Sequence, residues 1–200
     1  IKLPHASGNS VSIAAPQSNP ASDRTLYLPS NADGTVLTNT TPGCILQVVQ
    51  SVKTDTASTN SPAETAFVDT GLSVAITPTS SSNKILVFWN INIGSGSDNA
   101  TILKLQRGST DILLGDASST RIRGSQAQGG AYSSHLWKSD VAAGQFLDSP
   151  ATTSATTYKF VWCSNGSTYS YINRTGRDHT NSNDEDARFT SSITAMEVAG

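Results

Sequence analysis

The sequence predicts an all-β protein: a jelly-roll-like antiparallel β-sandwich head over residues 44–200, preceded by a short extended β stalk segment over residues 1–43. Three observations predict it. Serine and threonine fill roughly a quarter of the 200 positions, far above ordinary usage. Several segments alternate apolar and polar residues with the period of two that a half-buried strand needs. No window sustains the i, i+3, i+4, i+7 apolar spacing of a helix. Threonine's branched Cβ suits a pleated surface, whereas serine, asparagine and glycine favour turns.

Residues 1–43 carry prolines at 4, 16, 20, 29 and 42. Strand-like pieces at Val11 to Ile13, Leu26 to Leu28 and Val36 to Leu37 lie between turn signals such as Asn19-Pro20 and Asp33-Gly34. Ile1-Lys2-Leu3-Pro4 is echoed by Leu26-Tyr27-Leu28-Pro29, which hints at a repeat. The segment holds few large apolar side chains for its length. Burial within itself therefore does not offset the entropy of ordering it, and neighbouring copies are expected to supply the rest.

From Cys44 the pattern becomes that of a conventional β-domain. Strands are expected at 45–53, 65–68, 72–77, 84–93, 101–107, 112–114, 131–138, 145–147, 156–163, 169–173 and 191–198. In the fourth, Ile85, Val87, Trp89, Ile91 and Ile93 form one apolar face; Tyr158, Phe160 and Trp162 form another. Trp89 and Trp162 are thus expected in the core. Polar clusters at 78–83, 94–98 and 164–167 separate these strands.

The formal net charge is −2, and Arg121, Arg123, Arg174, Arg177 and Arg188 are interleaved with acids and small residues. That lacks the clustered basic footprint of a nucleic-acid binder. No apolar run approaches the roughly twenty residues of a membrane span, so no membrane insertion is expected. Two cysteines, Cys44 and Cys163, are too few for a disulfide framework and read as free, partly buried thiols, with a single bridge between them as the alternative.

His5, His135 and His179 stand near no Gly-x-Ser-x-Gly elbow, so no catalytic residue is assigned and the chain reads as non-enzymatic, without a cofactor. The oxygen-rich stretch Asp178, Asn181, Asn183, Asp184, Glu185 and Asp186 lacks the glycine of a calcium loop and reads as a solvated polar loop, with no metal assigned. For surface recognition, aromatic rings in polar surroundings are the useful feature. Trp137, beside His135 and Lys138, and Tyr169 and Tyr171, after the Asn165-Gly166 turn, are the candidates. Trp137 is equally open to a packing role.

Several ordered segments carry a resemblance. These are Leu72–Pro78 (LSVAITP), Asn83–Val87 (NKILV), Arg107–Thr110 (RGST) with Gly115-Asp116, Leu147–Tyr158 (LDSPATTSATTY), Tyr171–Arg174 (YINR) and Ser191–Val198 (SSITAMEV). Together they resemble the tail-fibre and spike-type virion structural proteins of tailed bacteriophages, particularly those of marine cyanobacteria. The front segment, with its Leu-Pro turn and Asp33–Leu37 (DGTVL), is similar to the junction such fibres place before a terminal head. The loop from Arg177 to Arg188 departs from the pattern in being more acidic. The resemblance implies a homotrimer at the virion surface that joins other virion proteins and attaches to a host surface glycan or protein receptor. The alternatives from the same residues are a capsid-anchored head fibre or decoration protein, a bacterial extracellular adhesin or filament subunit, and a polysaccharide depolymerase.

Overall fold

The computed structural model describes residues 2–4, 8, 10–12, 41–62, 66–96, 100–129, 136–165, 168–180 and 186–200. The chain divides into two compact units, Ile1–Val36 and Leu37–Gly200. In the first, β1 (Lys2–Pro4) pairs antiparallel with β2 (Ser10–Ser12). The strand pieces expected at 26–28 and 36–37 lie outside the described residues.

The second unit is two antiparallel sheets packed face to face. One sheet contains β3 (Ile45–Lys53), β4 (Ala57–Thr59), β6 (Lys84–Ser95), β10 (Ser139–Asp148), β12 (Ser170–Ile172) and β13 (Ser191–Val198). Its order is β3-β13-β6-β12-β4, with β10 also paired to β6. The other contains β5 (Val68–Ile76), β7 (Ala100–Arg107), β8 (Thr110–Ile112), β9 (Gln126–Gln128) and β11 (Thr156–Asn165). Its order is β5-β11-β7-β8, with β9 also on β7. Among the described residues there is no helix.

The core follows the alternation of β6. Ile85, Val87, Trp89, Ile91 and Ile93 all point between the sheets, where they meet Leu72, Val74 and Ile76 of β5, Leu103 and Leu105 of β7, and Tyr158, Phe160 and Trp162 of β11. Trp89 and Phe160 pack tilted, with ring centroids 5.2 Å apart. Trp89 and Trp162 are both buried, as their alternation predicts.

Four expectations need correction. Residues 66–67 are not strand; β5 instead runs unbroken from Val68 through Gly71, whose φ of +75° glycine tolerates. Trp137 and Lys138 precede a strand rather than ending one, and His135 lies outside the described residues. The strand sensed at 145–147 is the last third of β10, whose Gly144 lies where a Cβ would strike the Trp89 ring. The strand expected at 112–114 lies instead at Thr110–Ile112 (β8), in a tight hairpin with β7 across Gly108.

β12 and β13 form one broken column beside β6. Ile172 opposes Ile93 and Ser192 opposes Asn90, so the chain leaves the column at Asn173 and returns at Ser191. β4 and β3 form the next column in the same way, on β12 and β13 respectively.

Candidate functional site

The sandwich has two chemically distinct ends. At the start of β6, Gly43 donates its N–H to the Ala199 carbonyl, so the chain enters the sandwich here. Two buried acids close this end. Glu197 accepts from Asn83 Nδ2 (2.6 Å), Thr79 N (2.6 Å), Thr79 Oγ1 (2.8 Å) and Gln47 Nε2 (2.6 Å). Burial pushes its carboxyl up, but those donors outweigh burial and hold it below the ordinary value. Asp148, at the end of β10, accepts from Arg107 Nη1 at 2.9 and 2.8 Å and from Tyr158 Oη at 2.7 Å, tying the two sheets together. Burial, then the Asp148 carboxylate, push the Tyr158 phenol far up, so it stays a donor.

The other end gathers the aromatic candidates. β6 finishes at Gly94 and Ser95, and Gly94 is flanked by Ser139 of β10 and Tyr171 of β12. Trp137 stands just before β10, half-buried. Tyr169 is exposed, and its ring stacks on Tyr171 at 6.1 Å and 16°. The loop that leaves the column at Asn173 lays its backbone over β6: a Cβ on Gly94 would collide with the Arg174 carbonyl, and one on Gly176 with the Ser95 carbonyl. That close approach requires glycine at both positions.

The same loop supplies a guanidinium to two of these aromatics. Arg174 lies 3.8 Å from the Tyr171 ring centroid, and Arg177 lies 5.6 Å from that of Trp137. The Arg177 N–H donates to the Leu136 carbonyl, which binds the loop to the Trp137 turn. Both arginines are held by acids. Asp178 bridges Arg174 (3.0 Å) and Arg188 (2.8 Å), while Asp186 accepts from Arg177 Nε (2.9 Å) and Thr175 Oγ1 (2.8 Å). Burial acts to raise the Asp186 carboxyl, yet the Thr175 and Arg177 bonds bring it below its usual range. The described acids of this loop are therefore committed to arginine. The oxygen-rich residues 181–185 lie outside the described residues, and among the described ones no group of acids, histidines and cysteines gathers as a metal centre would.

The neck of the loop is built by Asn173. It is fully buried with φ +61°, a left-handed conformation that asparagine accepts. Its Nδ2 donates to the carbonyls of Lys53 (2.8 Å) and Asp55 (2.9 Å), and its Oδ1 accepts from Ser191 Oγ (2.6 Å). Its backbone donates to Asn92 O and accepts from Phe189 N, so departing and returning chain are joined at one residue.

Trp137, Tyr169 and Tyr171, read from the sequence as candidates, are thus brought to one end. Sequence reasoning missed Asn173, Arg174 and Arg177. The available signal was Asn173-Arg-Thr-Gly176, a turn-former run directly after a strand. The two thiols do not join: Cys163 is buried, Cys44 half-buried, and burial pushes Cys163 up to about 11. In comparisons with known proteins, no family model matches this chain and no curated protein matches it.

Proposed function

We propose that the chain is a virion fibre or spike subunit of a tailed phage, a non-enzymatic homotrimer at the particle surface whose sandwich head attaches to the host cell surface. The observation that carries this reading is the polarity of the head. The chain enters at the Gly43 and Ala199 end, and Tyr169, Tyr171, Trp137, Arg174 and Arg177 gather at the opposite end of β6. Twelve residues of strand separate the two, about 40 Å. The aromatic end of the head is thus remote from the point where its chain enters.

Flat tyrosine faces beside guanidinium donors suit glycan rings, which offer apolar faces and hydroxyl or carboxylate edges. The resemblance in segments such as Leu147–Tyr158 supplies the virion context. The order β3-β13-β6-β10 against β5-β11-β7-β8, with successive long strands alternating between sheets, supports the jelly-roll form of the sandwich. The test is immunogold labelling of purified particles together with adsorption competition by the free protein. Label at fibre tips and competition that Tyr171→Ala abolishes are expected; particles that carry no label would overturn the reading.

A further inference from the structure

The outward face of the first sheet is unlike that of the second. Register partners place Val48, Met196, Leu86 and Leu147 in one row across β3, β13, β6 and β10. Val48 is 56% exposed and Leu147 46%. Beside this row, Val48, Met196 and Phe88 line a shallow open hollow of about 360 Å³ with Gln50 and Thr194. Between Lys84 at one end of β6 and Arg174 beyond the other, no outward side chain on these four strands is charged.

The second sheet's outward face instead carries the ion pairs Lys159–Asp69 and Lys104–Asp111. An antiparallel sheet with one face in the core ordinarily gives water a polar, charged other face. The first sheet's outer face offers polar amide and hydroxyl groups but no charge.

We propose that the uncharged face of the β3-β13-β6-β10 sheet is the surface through which copies of this chain associate. A face without charge is complementary to itself, since a second copy laid on it buries no unpaired ion. Its glutamine, asparagine and threonine side chains can both donate and accept across an axis. The charged positions at its margins match the polar rim of specific interfaces. Four strands over eight residues cover about 500 Å² in plan, so three copies turned toward a common axis remove about 1,500 Å² between them, shared over three pairwise contacts. The zone stops short of Tyr171 and Arg174, which leaves the aromatic end open. This inference rests on the homo-oligomer part of the proposed function and names its surface.

The test uses the full chain, light scattering after size exclusion, and peroxide oxidation of Met196, the chain's one methionine, read by mass spectrometry. The wild type is expected to assemble, with Met196 oxidation slowed on the order of tenfold above the association midpoint. The double variant Val48→Lys, Leu147→Lys is expected to be monomeric with a native circular dichroism spectrum and fast Met196 oxidation, while Ala75→Lys on the other sheet stays assembled.

An assembled wild type whose Met196 oxidation is independent of concentration overturns the face and leaves the oligomer standing; so does an assembled double variant. A monomeric wild type with fast oxidation overturns both. A monomeric wild type with slow oxidation means that another part of its own chain covers the face, which also overturns the proposal. Should the double variant lose its native spectrum, the concentration dependence of wild-type oxidation decides alone.

Discussion

Replacing Asn173 by alanine removes three side-chain hydrogen bonds from a fully buried position, those to Lys53 O, Asp55 O and Ser191 Oγ. Each contributes about 1 kcal/mol net, and holding an alanine at positive φ costs about 1–2 kcal/mol more, for about 4 kcal/mol in all. In a unit of this size each kcal/mol moves Tm by about 2–4 °C, so a fall of about 8–16 °C is expected. Asn173→Gly separates the causes. Glycine accepts the φ of +61° freely, so only the lost bonds remain, at about 3 kcal/mol. The assay is thermal unfolding by circular dichroism, with limited trypsin digestion alongside. Arg174, Arg177 and Arg188 lie in the loop that Asn173 closes, so cleavage there is expected to rise on the order of tenfold in both variants. A Tm within about 2 °C of wild type together with unchanged cleavage would refute the claim that this one residue closes the neck.

Further outcomes follow from the same geometry. Glu197 has a folded pKa below its ordinary 4.5, so its stabilising contribution is complete above pH 4.5 and is lost as pH falls through the folded value; Asp69, Asp111 and Asp186 act with the same sign. Glu197→Gln, which turns one acceptor into a donor facing donors, is expected to cost about 3 kcal/mol at pH 7 and to flatten the acid limb of stability, as chemical denaturation across pH would read. Gly94→Ala drives a methyl into the Arg174 carbonyl and is expected to cost about 1–3 kcal/mol while releasing the loop, seen as faster amide exchange at Arg177. In the native protein a thiol reagent at pH 8 is expected to label Cys44 well before Cys163, whose thiol stays protonated until about 11; equal rates would contradict its burial.

The sandwich was legible where side chains are large and alternate. β3 and β13 begin and end where the pattern of Ile45 to Lys53 and of Ser191 to Val198 places them, and the apolar face of β6 is the core. Legibility failed where packing rather than pattern decides. Val141-Ala-Ala-Gly144 has too little bulk to read as strand, yet Gly144 is small because the Trp89 ring lies over it. Gly71 reads as a turn but continues a strand. At the aromatic end, Tyr169 and Tyr171 were visible as rings in polar surroundings. That Arg174 and Arg177 sit on the rings could not be read, because it depends on a loop folding back over β6 from a column it has left. The absence of charge on one sheet's outer face was written in the sequence, but only the register joins Val48, Met196, Leu86 and Leu147, which lie far apart along the chain.

The broken column has one more consequence. Because the polypeptide departs and comes back through a single asparagine, the two ends of the stretch between Arg174 and Arg188 are fixed to each other by the Phe189 to Asn173 bond and the Arg174–Arg188 bridge. The turn that opens this stretch is not free to vary, because Gly176 packs on the Ser95 carbonyl and Arg177 donates to the Leu136 carbonyl.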